Sequence, residues 1–122
     1  MSNLENILGK SNLLDLSKKL FNVVTKTVDF HEEHEINLDS KILEAETINF
    51  VLADGLGSEN LKLAKSDYLK DSNSFSVNST FPSSTNVALS TINYVSRPME
   101  TSILGYYLFD REEHGLINAL NW

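Results

Sequence analysis

The chain has 122 residues, enough for one domain or part of one, and its 41% hydrophobic content allows a core. A formal net charge of −7, with no Lys/Arg patch, argues against a nucleic-acid surface or an anionic membrane as partner. The absence of cysteine excludes disulfides and thiolate metal sites. Met1 to Lys10 has no basic segment followed by an apolar one, so it does not read as a secretory signal. No stretch approaches the roughly 18 apolar residues of a membrane span, and a soluble cytoplasmic protein is expected.

Residues 3–9 and 11–24 are expected to be helical. Ser11 can cap the second segment, in which Leu13, Leu14, Leu16, Leu20, Phe21 and Val24 recur at helical spacing with Lys18 and Lys19 on the other side. So little positive charge favours packing on a core over lying on a membrane. Residues 25–45 are polar and acidic. His31-Glu32-Glu33-His34-Glu35 invites a metal reading, but the zinc-protease pattern needs histidines spaced by four. A solvated connector or strand edge is the plainer expectation, and the organisation divides into 1–45, helices and connector, and 46–122.

Residues 46–53 form a short, continuous apolar run rich in β-branched and aromatic residues. That pattern reads as a strand buried on both faces, ended by the turn Asp54-Gly55-Leu56-Gly57. Such strands belong mostly to parallel sheets covered by helices. A helix is expected over 58–70, with Ser58 as cap, then a loop at 71–74 and a short second strand using Phe75, Val77 and Ser79. Strand, helix and strand make a right-handed βαβ unit. Pro82 ends that strand, and Ser83, Ser84 or Thr85 can cap a further helix carrying Val87, Ala88, Leu89 and Ile92 and ending before Pro98. Leu104 to Phe109 reads as a turn entering another strand, and Asp110 to His114 as a charged loop. Leu116, Ile117, Ala119, Leu120 and Trp122 form an apolar end that needs covering.

In open α/β sheets, ligands bind beyond the carboxyl ends of strands. Asp54 and Thr85 both fall there on this reading. A carboxylate after a strand suits a hard or borderline cation, and a hydroxyl at a helix N-terminus faces unpaired N–H groups and the positive end of the dipole. A cation shared by the two oxygens would make Thr85 a better nucleophile. Taken alone, Asp-Gly is an ordinary turn, Thr85 an ordinary cap, and Tyr106 a core or sheet residue.

The ordered set is more specific than its pieces. Asp54-Gly55-Leu56-Gly57 after an apolar strand is followed by Phe81-Pro82-Ser83-Ser84-Thr85, a helix, Arg97-Pro98, Ile103-Leu104-Gly105-Tyr106, and Gly115 to Trp122. Over about residues 46–122 it resembles the type I phosphodiesterase/nucleotide pyrophosphatase family of the alkaline phosphatase superfamily. The resemblance implies an α/β fold, here a truncated, partial doubly wound and mostly parallel sheet with flanking helices. It also implies two divalent metals, usually zinc, per complete site. It places a metal ligand on Asp54 and the nucleophile, which also touches the metal, on Thr85. The backbone N–H of Asn86 would hold phosphoryl oxygens, and the Tyr106 hydroxyl would contact phosphate where some members have asparagine. The implied reaction is hydrolysis of a phosphodiester, pyrophosphate or phosphomonoester through a phospho-threonine intermediate.

Three departures stand against that pattern. Tyr94-Val95 replaces Thr-Gly at the end of the helix, and Thr101-Ser102 replaces His-Gly after the proline, so the local turns are expected to differ. The family's downstream Asp and His ligands are absent, and the histidines at 31, 34 and 114 are not in those motifs. Two functions follow: the amino-terminal portion of a hydrolase, inactive as an isolated chain, or a non-catalytic remnant or half of a split protein that binds a complementary chain over its apolar carboxyl end.

Overall fold

The computed structural model describes residues 10–26, 29–63, 75–112 and 114–119. Its elements, in chain order, are helices α1 (Leu13–Thr25), α2 (Ser40–Leu43), α3 (Ser58–Leu63), α4 (Thr85–Tyr94) and α5 (Pro98–Thr101), then strands β1 (Tyr107–Asp110) and β2 (Gly115–Asn118). The chain is therefore a small mixed α/β arrangement. The helix expected over 3–9 and the 71–74 loop lie outside the described residues, as does the 58–70 helix beyond Leu63. Among the described residues, no helix is long and apolar enough to cross a membrane.

The start of α1 is set by a capping box, one residue later than expected. Asn12 is the N-cap, and its side chain accepts from the N–H groups of Leu14 and Asp15 at 2.9 and 3.1 Å. The Asp15 side chain accepts the Asn12 N–H in return at 3.1 Å. This reciprocal pair satisfies orphan donors that Ser11 does not reach. Ser11 instead pairs through its backbone with Asn78: the Asn78 N–H donates to Ser11 O and the Leu13 N–H to Asn78 O, each at 2.9 Å. That is a single parallel bridge between Asn12 and Asn78, and among the described residues it is the one β-bridge that the second expected strand makes.

Asp15 also fixes the polar connector. It is 1% exposed. Its carboxyl oxygens take the N–H groups of Glu33 and His34 at 3.0 and 3.4 Å, and His34 Nδ1 lies 3.1 Å from Oδ2. Higher on α1, Asn22 exchanges two hydrogen bonds with the backbone of Phe30, both 2.8 Å, and the rings of Phe21 and Phe30 meet edge to face. Lys18 Nζ donates to His31 O, Lys19 pairs with Glu32, and Arg97 pairs with Glu33. The His-Glu-rich run is thus tied down at several points, with Glu32 and His34 half-buried and His31, Glu33 and Glu35 exposed. It is a strap bound along α1, because one buried carboxyl group requires several donors at once.

α1 packs on α4, and α4 on α5. Among the described residues the buried apolar ones are few: Ile36, Val87, Val95, Ile103 and Ala119. The apolar stripe of α1 is only partly covered, since its buried positions are Asp15 and Ser17 while Phe21 and Val24 remain exposed.

The sheet differs from expectation. Among the described residues it consists of β1 and β2 alone, an antiparallel hairpin with Tyr107 opposite Asn118 and Asp110 opposite Gly115. Residues 47–53 run without turn or bend but pair with no strand, and Val51 is 85% exposed. A strand buried on both faces needs a neighbour on each edge and a layer on each face. The described residues supply neither, so the apolar run remains unpaired.

The two positions where glycine was expected hold the backbone that glycine favours. Val95 follows α4 with φ 51° and ψ 41°, and Ser102 follows α5 with φ 59° and ψ 8°. Side chains are thus held in the left-handed region, at roughly 1–2 kcal/mol each. At Val95 the side chain is buried, so replacing it with glycine would relieve strain but lose about as much from burial. Ser102 is exposed and has no such offset. Ser102→Gly is therefore expected to raise stability by about 0.5–1 kcal/mol, read as a higher urea midpoint, with Ser102→Val lowering it.

Candidate active site

Thr85 is the first residue of α4, with Ser84 as its N-cap. Ser84 makes no side-chain cap; its hydroxyl donates to Asn86 Oδ1 at 2.9 Å. Two consequences follow. The Thr85 hydroxyl is free of capping, and the first-turn N–H groups are left for another acceptor. Among the described residues, no acceptor takes the N–H of Asn86.

Asp54 reaches the same point from the turn after the unpaired run. Gly55 has φ 72°, which the Asp-Gly turn requires and which a larger residue would strain. The Asn60 side chain donates to Gly55 O at 3.0 Å and ties the turn to α3. Thr85 Oγ1 donates to Asp54 Oδ2 at 3.0 Å across 31 positions of sequence. Tyr106 arrives from the turn before β1, with its hydroxyl 3.1 Å from Thr85 Oγ1. A threonine hydroxyl has one proton to give. Because that proton points to Asp54, the Tyr106 hydroxyl is the donor to Thr85.

Asn86 stands beside them in a role that sequence reasoning missed. Its side chain is 4% exposed, accepts from Ser84 and donates Nδ2 to the carbonyl of Gly105. It fastens the Gly105–Tyr106 turn to the start of α4 and so sets where the Tyr106 ring stands. The only sequence signal was an amide next to a predicted helix start, which does not name a partner nineteen residues away. Of the four anticipated residues, Asp54, Thr85 and Tyr106 meet at the Thr85 hydroxyl, while Asn86, next in sequence, turns its side chain to Ser84 and Gly105.

No protein-family model, curated protein or solved structure matches the chain.

The chemistry of the site follows from its oxygens. Asp54 is exposed and Thr85 half-buried, so solvent reaches the pair. Two oxygen donors 3.0 Å apart fall within the reach of a single divalent cation held roughly 2.0–2.2 Å from each. The donor set therefore fits one metal in part. Among the described residues, no group of three or more His, Asp or Glu side chains is placed to hold an ion.

Asn86→Ala leaves the Gly105 carbonyl and the Ser84 hydroxyl without their partner. The expected cost is about 1–3 kcal/mol in urea unfolding, with faster hydrogen exchange in the Gly105–Tyr107 amides than elsewhere.

Proposed function

We propose that this chain carries the nucleophile half of a metal-dependent phosphodiesterase or nucleotide-pyrophosphatase-like hydrolase, as the amino-terminal portion of a doubly wound α/β sheet. The observation that carries the reading is the hydrogen bond from Thr85 Oγ1 to Asp54 Oδ2. It joins the two residues that the resemblance assigns to nucleophile and metal. The left-handed backbone at Val95 and Ser102 supports it further, because these are the places where the family pattern has glycine.

On this reading Thr85 Oγ1 attacks phosphorus as its proton passes to Asp54, and the P–Oγ bond forms as the leaving oxygen departs with its electron pair and takes up a proton; water then hydrolyses the phospho-threonine and restores the hydroxyl. Asp54 accepts the hydrogen bond of the attacking hydroxyl and orients its lone pair. Once Oγ1 is bonded to phosphorus, the Tyr106 hydroxyl is released from it and can donate to a phosphoryl oxygen. The N–H of Asn86, at the positive end of α4, faces the same charge. A divalent metal, zinc by resemblance, held by Asp54 and Thr85, would lower the pKa of the threonine hydroxyl and polarise the phosphoryl oxygens.

Two oxygens are fewer than the three protein ligands of the usual catalytic zinc site. The isolated chain is therefore expected to bind zinc weakly and to release little or no nitrophenol from bis(4-nitrophenyl) phosphate. A second reading, a non-catalytic protein that binds a complementary chain, is favoured by the exposed apolar face of the hairpin formed by Tyr107, Phe109 and Leu116.

Zinc titration by calorimetry tests the site. Asp54→Asn is expected to weaken binding at least about tenfold, with the melting curve unchanged. Equal zinc affinity in the wild type and in Asp54→Asn would overturn the reading. Nitrophenol release that Thr85→Ala abolishes would instead uphold the site and overturn the expected inactivity.

A further inference from the structure

The unpaired run 47–53 has three features that ordinary surface segments do not combine. Its backbone groups are unused: among the described residues, the only hydrogen bond in the stretch is from the Leu56 N–H to Ala53 O, at the weak distance of 3.4 Å. Its side chains are apolar and exposed, with Phe50 at 46%, Val51 at 85% and Leu52 at 44%. It also borders a groove of about 280 Å³ floored by Leu20, Phe21 and Val24 of α1 and Ile92 of α4, into whose wall Ile48 and Phe50 are built. Open main-chain groups beside an apolar groove are the two ingredients of strand addition. Main-chain bonds hold the incoming strand, and the groove selects its alternate side chains.

Charge decides what the incoming strand is. Glu44 and Glu46 lie exposed before the run and Asp54 after it, on a chain whose net charge is −7. A second copy paired antiparallel about Phe50 would set Glu46 opposite Asp54, and like charges directly opposite each other destabilise a pair. We propose that residues 47–53 accept a β-strand from a partner polypeptide: an apolar, β-branched segment flanked by lysine or arginine, whose side chains enter the groove between α1 and α4. The site is distinct from the hairpin face and does not depend on Thr85 chemistry.

The test uses a labelled peptide of alternating valine and isoleucine with lysine pairs at both ends, followed by fluorescence anisotropy and amide hydrogen exchange. Saturable binding is expected, with new protection confined to 47–53, and the same peptide with glutamate ends should bind at least about tenfold more weakly. A version with alternate backbone nitrogens methylated should not bind. Val51→Pro and Leu52→Pro each remove one N–H that has no partner among the described residues, one on each edge. Both should keep the wild-type melting curve, and one should abolish binding. Peptide binding without protection at 47–53, equal binding of the methylated peptide, or binding undiminished in both proline variants would overturn the proposal. Sedimentation showing a dimer that protects 47–53 without peptide would overturn the choice of partner.

Discussion

The Thr85 hydroxyl is where three otherwise separate parts of the chain are held in register. It gives its proton to Asp54, beyond the apolar run, and takes one from Tyr106, before the hairpin. Because Thr85 is the first residue of α4, that hydroxyl stands at the positive end of the helix dipole. Each contact is exposed enough that its contribution to stability is modest. What the arrangement supplies is position: a hydroxyl oxygen with an acceptor on one side and a donor on the other.

That position depends on restraints away from the site. Asn86 fastens the turn that carries Tyr106, and Ser84 gives its hydroxyl to Asn86 rather than to the helix end. α4 is held in turn by packing on α1, whose own start is fixed by the Asn12–Asp15 box. Asp15 binds the 30–35 strap, and Glu33 of that strap pairs with Arg97, just before α5. The network runs from a buried carboxyl group on the first described helix to the residues that frame the site. Left-handed backbone at Val95, just after α4, and at Ser102, just after α5, adds strain at the carboxyl ends of both helices.

Local signals in the sequence led to the right places. The leucine spacing marked α1, the Asp-Gly pair a turn at 54–55, and Pro82 the approach to α4. Partners distant in sequence were not legible. Ser11 and Asn12 are equally good caps by type, and only the return bond from Asp15 selects Asn12. The bonds that tie the histidine-glutamate run to α1 were hidden, because nothing local indicates that Asp15 lies buried beside it. The apolar run at 46–53 carries the pattern of a central strand, but pattern records what a segment can bury, not whether a neighbour is there to bury it. The Asn86 side chain was hidden for the same reason.

The central claim is that Asp54 and Thr85 share one cation, and crystals grown with zinc and measured at its absorption edge test it most directly. The account expects an anomalous peak within roughly 2.0–2.2 Å of an Asp54 carboxylate oxygen and of Thr85 Oγ1, with Tyr106 alongside. A structure with the two side chains on separate surfaces, or with zinc bound only elsewhere, would contradict it.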